Sequence, residues 1–123
     1  MIVVPVPFAW ESYPSEWAAA LGRLRQLPVN VIVPGHGPLQ KDWAYADLLT
    51  RTLNVALAET RQAVERDTGL VAVRKAVTLD AMRSAFVRED SSRSASFDQF
   101  VKALVERTYL DVLKRIPPSR PQQ

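Results

Sequence analysis

Through the middle and end of the chain, apolar positions recur at intervals of three and four, the period of a helix that turns one face to a core. The longest such run spans Asp42 to Asp67. Ala46, Leu49, Leu53, Ala56 or Leu57, Thr60 and Val64 form its stripe, while Asp47, Arg51, Glu59, Arg61 and Glu65 fall largely outside it. Asp42 suits the N-cap, and Thr68-Gly69 a stop. A shorter helix is predicted from Pro14, with Glu16 in its first turn and Trp17, Leu21 and Leu24 on one face. Leu27-Pro28 ends it, because the residue before a proline is pushed out of helical geometry. Beyond Gly69 the pattern is wholly helical. Leu70–Ala76 predicts a short helix, Thr78 caps another bearing Leu79, Met82 and Phe86, and a last helix over about Ser96 to Lys114 carries Phe97, Phe100, Val101, Leu104, Val105 and Leu110. Arg88 to Ser94 is polar and predicts a surface loop. Ile116-Pro117-Pro118 halts the last helix ahead of a disordered tail, 117–123.

Two stretches depart from that period. Met1 to Val6 is apolar almost throughout and predicts a strand covered on both faces, with Pro5 and Pro7 confining it to an edge or ending it. Val29 to Val33 is a β-branched run and predicts a second strand, which stops at Pro34-Gly35-His36-Gly37-Pro38. The first helix and this strand make a tight αβ unit that delivers His36, the only histidine, to a sharp turn. Flanking glycines let a ligand or metal approach closely. The competing reading is a histidine that orders its loop and binds nothing. Between the two strands, Phe8 to Tyr13 is an aromatic loop in which Glu11 has no visible partner, and Trp43 and Tyr45 are placed to pack around the histidine turn.

The order helix, short apolar strand, Pro-Gly-His-Gly-Pro, long helix resembles the C-terminal half of the metallo-β-lactamase superfamily of zinc-dependent hydrolases. Pro5-Val6-Pro7-Phe8, Tyr13-Pro14-Ser15-Glu16-Trp17 and Lys41-Asp42-Trp43-Ala44-Tyr45-Ala46-Asp47 extend the likeness over about residues 1 to 67. The resemblance implies a partial αββα sandwich over residues 1–68, about two strands with their covering helices. An all-helical extension over 69–116 would follow, giving the α/β class. It implies that His36 is a metal ligand, the last in sequence of a two-zinc site, and that Trp10 and Tyr13 border a substrate cleft. The superfamily's main ligand motif, His-x-His-x-Asp-His, is absent from a chain with one histidine. A catalytic zinc takes three protein ligands and a water, and activates that water only when so held. The chain is therefore expected to be the C-terminal portion of such an enzyme, inactive alone and holding no zinc tightly. Its expected partner is the missing N-terminal half or a second copy.

Composition narrows the alternatives. With 47% hydrophobic and 24% charged residues, the chain matches ordinary folded domains, which excludes disorder throughout. The net charge of +3 comes from sixteen cations, twelve of them arginine, interleaved with thirteen acids along helical segments. That is the pattern of a solvated face, and no nucleic-acid partner is expected. No apolar run reaches membrane-spanning length, no signal peptide is evident, and the expected compartment is the cytoplasm. The absence of cysteine excludes disulfides, thiolate metal sites and a cysteine nucleophile. Without a Gly-x-Ser-x-Gly elbow or a second histidine, a nucleophilic serine is not expected either. The alternative to a hydrolase fragment is a non-catalytic helical interaction module.

Overall fold

Helices supply most of the interior of this protein. The computed structural model describes residues 1–114 and contains α1 (Pro14–Leu24), α2 (Ala44–Arg66), α3 (Leu70–Ala76), α4 (Asp80–Val87) and α5 (Ser94–Val112), with a 3₁₀ turn at Ser91–Arg93. The expected disordered tail lies outside the described residues. At about 1.5 Å per residue α2 runs on the order of 35 Å, and it packs against α1, α3 and α5, while α5 also meets α1, α3 and α4. The stripe of α2 is the expected one except at its end. Ala46, Leu49, Leu53, Ala56, Leu57 and Thr60 are buried, together with Thr52 and Ala63, while Val64 is half-buried. On α5 the buried face is Phe97, Phe100, Ala103, Leu104, Val105, Thr108 and Tyr109.

Phe86 of α4 meets Phe97 and Phe100 at ring-centroid distances of 5.6 and 5.7 Å, and Tyr45 of α2 edge-on at 6.1 Å. Ile2, Leu21, Leu53, Val73, Phe86 and Phe97, drawn from both sides of position 68, belong to one cluster of buried side chains. Where α2 crosses α5, the hydroxyls of Thr60 and Thr108 lie 2.9 Å apart, and Thr108 also donates to the Val105 carbonyl at 2.9 Å. Buried hydroxyls are tolerated there because each has a partner. None of the described helices is long and apolar enough to cross a membrane.

The structure corrects the expected α/β class. Among the described residues there is no strand and no sheet, so the partial αββα sandwich does not form. The two predicted strands survive as isolated bridges, a parallel one between Val3 and His36 and an antiparallel one between Ile32 and Gln40. The physical reason lies in the partners. A strand completes its hydrogen bonds only through a neighbour, a two-stranded ribbon is marginal by itself, and Pro5, Pro7 and Pro34 remove donors where a ladder would continue. Smaller differences concern helix ends. α1 stops at Leu24, three residues short of Leu27, and closes through tighter bonds from Gln26 to Arg23 and from Leu27 to Leu24. Thr78 does not cap α4, which instead starts after Leu79 in the left-handed conformation (φ 55°).

Candidate functional site

The turn around His36 is built from three pieces of chain. The Val4 amide donates to the His36 carbonyl at 3.0 Å and the Gly35 amide to the Ile2 carbonyl at 2.9 Å, which pins the turn to residues 2–4. Ile32 and Gln40 exchange both of their backbone hydrogen bonds, at 2.8 and 2.9 Å, and close the loop between them. From the first turn of α2, the Tyr45 hydroxyl donates to the Val3 carbonyl at 2.5 Å and lies 3.3 Å from that of Pro5. Burial of this phenol raises its pKa above the usual tyrosine range. Gly37 is required as glycine. Its φ is +101°, and a Cβ there would stand 2.6 Å from the Val4 Cβ and 2.9 Å from the Val4 oxygen.

His36 itself is exposed, with Nδ1 3.3 Å from the Val4 carbonyl oxygen. When Nδ1–H donates to that oxygen, the neutral imidazole keeps its lone pair on Nε2, the arrangement in which histidine commonly binds a metal. The remaining donors of a zinc centre are not gathered here. Among the described residues no three histidine, cysteine, aspartate or glutamate side chains are grouped so as to hold a metal ion. The residues present therefore do not fit a two-zinc site, or a one-zinc site with three protein ligands.

Beside the turn opens a cleft of about 450 Å³, lined by Val3, Phe8, Glu11, Tyr13, Trp17 and Arg23 among others. Val3 is shared between this cleft and the bridge to His36. Of the two aromatics expected at a cleft, Tyr13 is in this one. Trp10 lines a smaller cavity of about 200 Å³ between the N-terminal segment and α5. The Arg25 guanidinium lies over the Trp43 ring at 5.0 Å.

Sequence reasoning missed what fixes the cleft wall. Asp111 of α5 accepts from the Ser15 amide at 2.8 Å and from its hydroxyl at 3.0 Å, capping α1 from another helix. Arg107 donates to the Ser12 carbonyl at 2.6 Å and lies over the Tyr13 ring at 5.3 Å. These partners are almost a hundred positions apart, and no local pattern announces them. Comparison with protein-family models, curated proteins and solved structures finds no match.

Proposed function

We propose that this chain contributes one metal donor, His36, to a zinc-dependent hydrolase of the metallo-β-lactamase kind, and that it has no hydrolytic activity by itself. The observation that carries the reading is the Nδ1 contact to the Val4 carbonyl, which leaves Nε2 of an exposed imidazole as the free lone pair. The chain's donor inventory supports the second half. One histidine, no cysteine and, among the described residues, no group of three potential ligands leave the other donors to a further polypeptide segment. In a completed enzyme of this kind zinc, held in part by His36, would supply an activated water for hydrolysis of an ester, thioester or lactam. The aromatic cleft that shares Val3 with the histidine turn would then receive the substrate, in a cytoplasmic enzyme. The αββα sandwich is no part of this reading. Metal analysis of the purified chain tests it. Less than one tightly held zinc per chain is expected, with His36→Ala abolishing what weak binding remains, and two zinc ions per chain would overturn it.

A second reading, a non-catalytic interaction module, is favoured by a different observation. Of ten large hydrophobic side chains that stand exposed among the described residues, nine lie in residues 1–39. Strong binding of an exposed-surface dye, lost when the aromatic loop is made polar, is the expected result. A chain that binds none of the dye would count against it.

A further inference from the structure

The cleft beside the histidine turn lies where α5 ends. Phe8, Tyr13 and Trp17 give it an aromatic lining, and among its charged side chains Glu11 and Glu16 outnumber Arg23. Glu11 is exposed and has no hydrogen-bond or ion-pair partner among the described residues. Trp17 adds an unmet need, because its indole N–H is buried and without an acceptor, and a buried donor left unpaired is costly. The last turns of α5 are fastened to the same wall. Arg107 donates to the Ser12 carbonyl and lies over the Tyr13 ring, and Asp111 holds Ser15, the neighbour of Glu16. Lys114 then takes a left-handed conformation (φ 55°), which turns the chain out of the helix.

We propose that residues 115–123 of this same chain bind in the cleft, as a proline-rich segment laid against its aromatic side chains. The segment reads Arg115-Ile116-Pro117-Pro118-Ser119-Arg120-Pro121-Gln122-Gln123 and lies outside the described residues. Its starting point selects it first, since Arg115 follows Lys114 directly and stands four positions beyond the Asp111 that holds the cleft wall. At about 3.1 Å per residue in an extended proline-rich form, the segment would reach on the order of 28 Å. Composition selects it next. Three prolines offer apolar rings and a backbone that loses little freedom on binding, the chemistry that aromatic-lined grooves take up. The segment's carbonyls are acceptors of the kind the Trp17 indole lacks. Charge selects it last. Its two arginines match the carboxylate excess of the cleft, and because the segment enters beside Ser15, Arg120 is the cation available to Glu11. This contact rests on the cleft and not on His36, and a substrate entering the cleft would have to displace the segment.

The full chain carries the test. It has no cysteine, so Gln122→Cys takes a single spin label, and paramagnetic relaxation of the protein's N–H groups then reports what the segment approaches. Enhancement concentrated at Phe8, Ala20 and the Trp17 indole is expected, at a level that does not change with dilution. Arg120→Glu is expected to reduce it by about threefold, the scale of one exposed ion pair. Adding Glu11→Arg restores it, and circular dichroism checks that helicity is the same in every form. Enhancement spread evenly around the end of α5, enhancement indifferent to Arg120→Glu, or a loss that Glu11→Arg does not restore would overturn the proposal. So would enhancement that appears only between spin-labelled and isotope-labelled chains in a mixture, which would make the occupant a second copy. His36→Ala leaves the enhancement unchanged, so a failed zinc measurement and a failed segment measurement are distinguishable.

Discussion

Residues 44–114 and residues 1–43 are similarly rich in apolar side chains but use them differently. In the first region apolar residues go inside. Of the largest fully buried side chains only Leu21 comes from before residue 44, and Phe86, Phe97, Leu49, Leu53 and Leu104 all come from after it. In the second region Phe8, Leu27, Val29, Val31, Val33 and Leu39 stand exposed, with Val71 the sole counterpart in the helical part. The difference follows from where each element finds its hydrogen bonds. A helix bonds within itself and needs a neighbour only for one face. An extended segment needs a neighbour for its backbone as well as its side chains, and among the described residues Val3 and Ile32 each find one contact of that kind.

The sharpest way to break the comparison is to cut a side chain from the helical interior. Phe97 has no exposed surface and meets Phe86 and Phe100 at tilted ring angles, at centroid distances of 5.6 and 6.3 Å. Phe97→Ala is expected to cost about 3–5 kcal/mol in urea unfolding followed by circular dichroism. A loss below about 1 kcal/mol would mean that the interior is loosely packed and the contrast with the N-terminal region is false.

Next in size is the hydroxyl pair, and here the two halves differ. Thr108 donates to Val105, so Thr60 must supply the proton between the two threonines. Thr108→Val strands the buried Thr60 hydroxyl and is expected to cost about 1–3 kcal/mol, whereas Thr60→Val leaves Thr108 satisfied and costs about 0.5–1.5 kcal/mol. A Thr60→Val cost as large as or larger than that of Thr108→Val would overturn this assignment of the proton.

The same contrast explains what the sequence could and could not tell. α3 lies at its expected bounds, and the buried face of α2 follows its three-and-four spacing closely, because a helix writes its packing into a local period. The strands were expected from the apolar run at 1–6 and the β-branched run at 29–33, but composition states only what a segment tolerates and not whether a partner is present. The left-handed residues around α4, Leu79 and Arg88, carry no glycine or asparagine signal. At the site, the glycine-framed turn and its exposed histidine were legible in Gly35-His36-Gly37. The Nδ1 contact to Val4 and the cap of Asp111 on Ser15 were not, since they join distant stretches.

Tyr45 ties the two regions together and offers a test by pH. Burial raises its folded-state pKa above the unfolded value of about 10, so folding favours the neutral phenol. That contribution is complete below pH 10 and is lost as pH rises beyond it toward the folded value. Tyr45→Phe removes the hydrogen bond to Val3 at a cost of about 0.5–1.5 kcal/mol at neutral pH, and abolishes this alkaline loss. The stability difference between wild type and variant should therefore shrink above pH 10. Amide exchange at Val4 and Gly35, which hold the histidine turn, should quicken in the variant. A difference independent of pH would mean that the phenol does not tether the N-terminal segment.

The smallest expected effect is the one at Val33, and its smallness is informative. The side chain is 76% exposed, so Val33→Ala removes little buried surface and is expected to change stability by no more than about 0.5 kcal/mol in dilute solution. A cost that is large even at high dilution would place Val33 in contact within one chain, and the N-terminal region would then be no less self-sufficient than the helices.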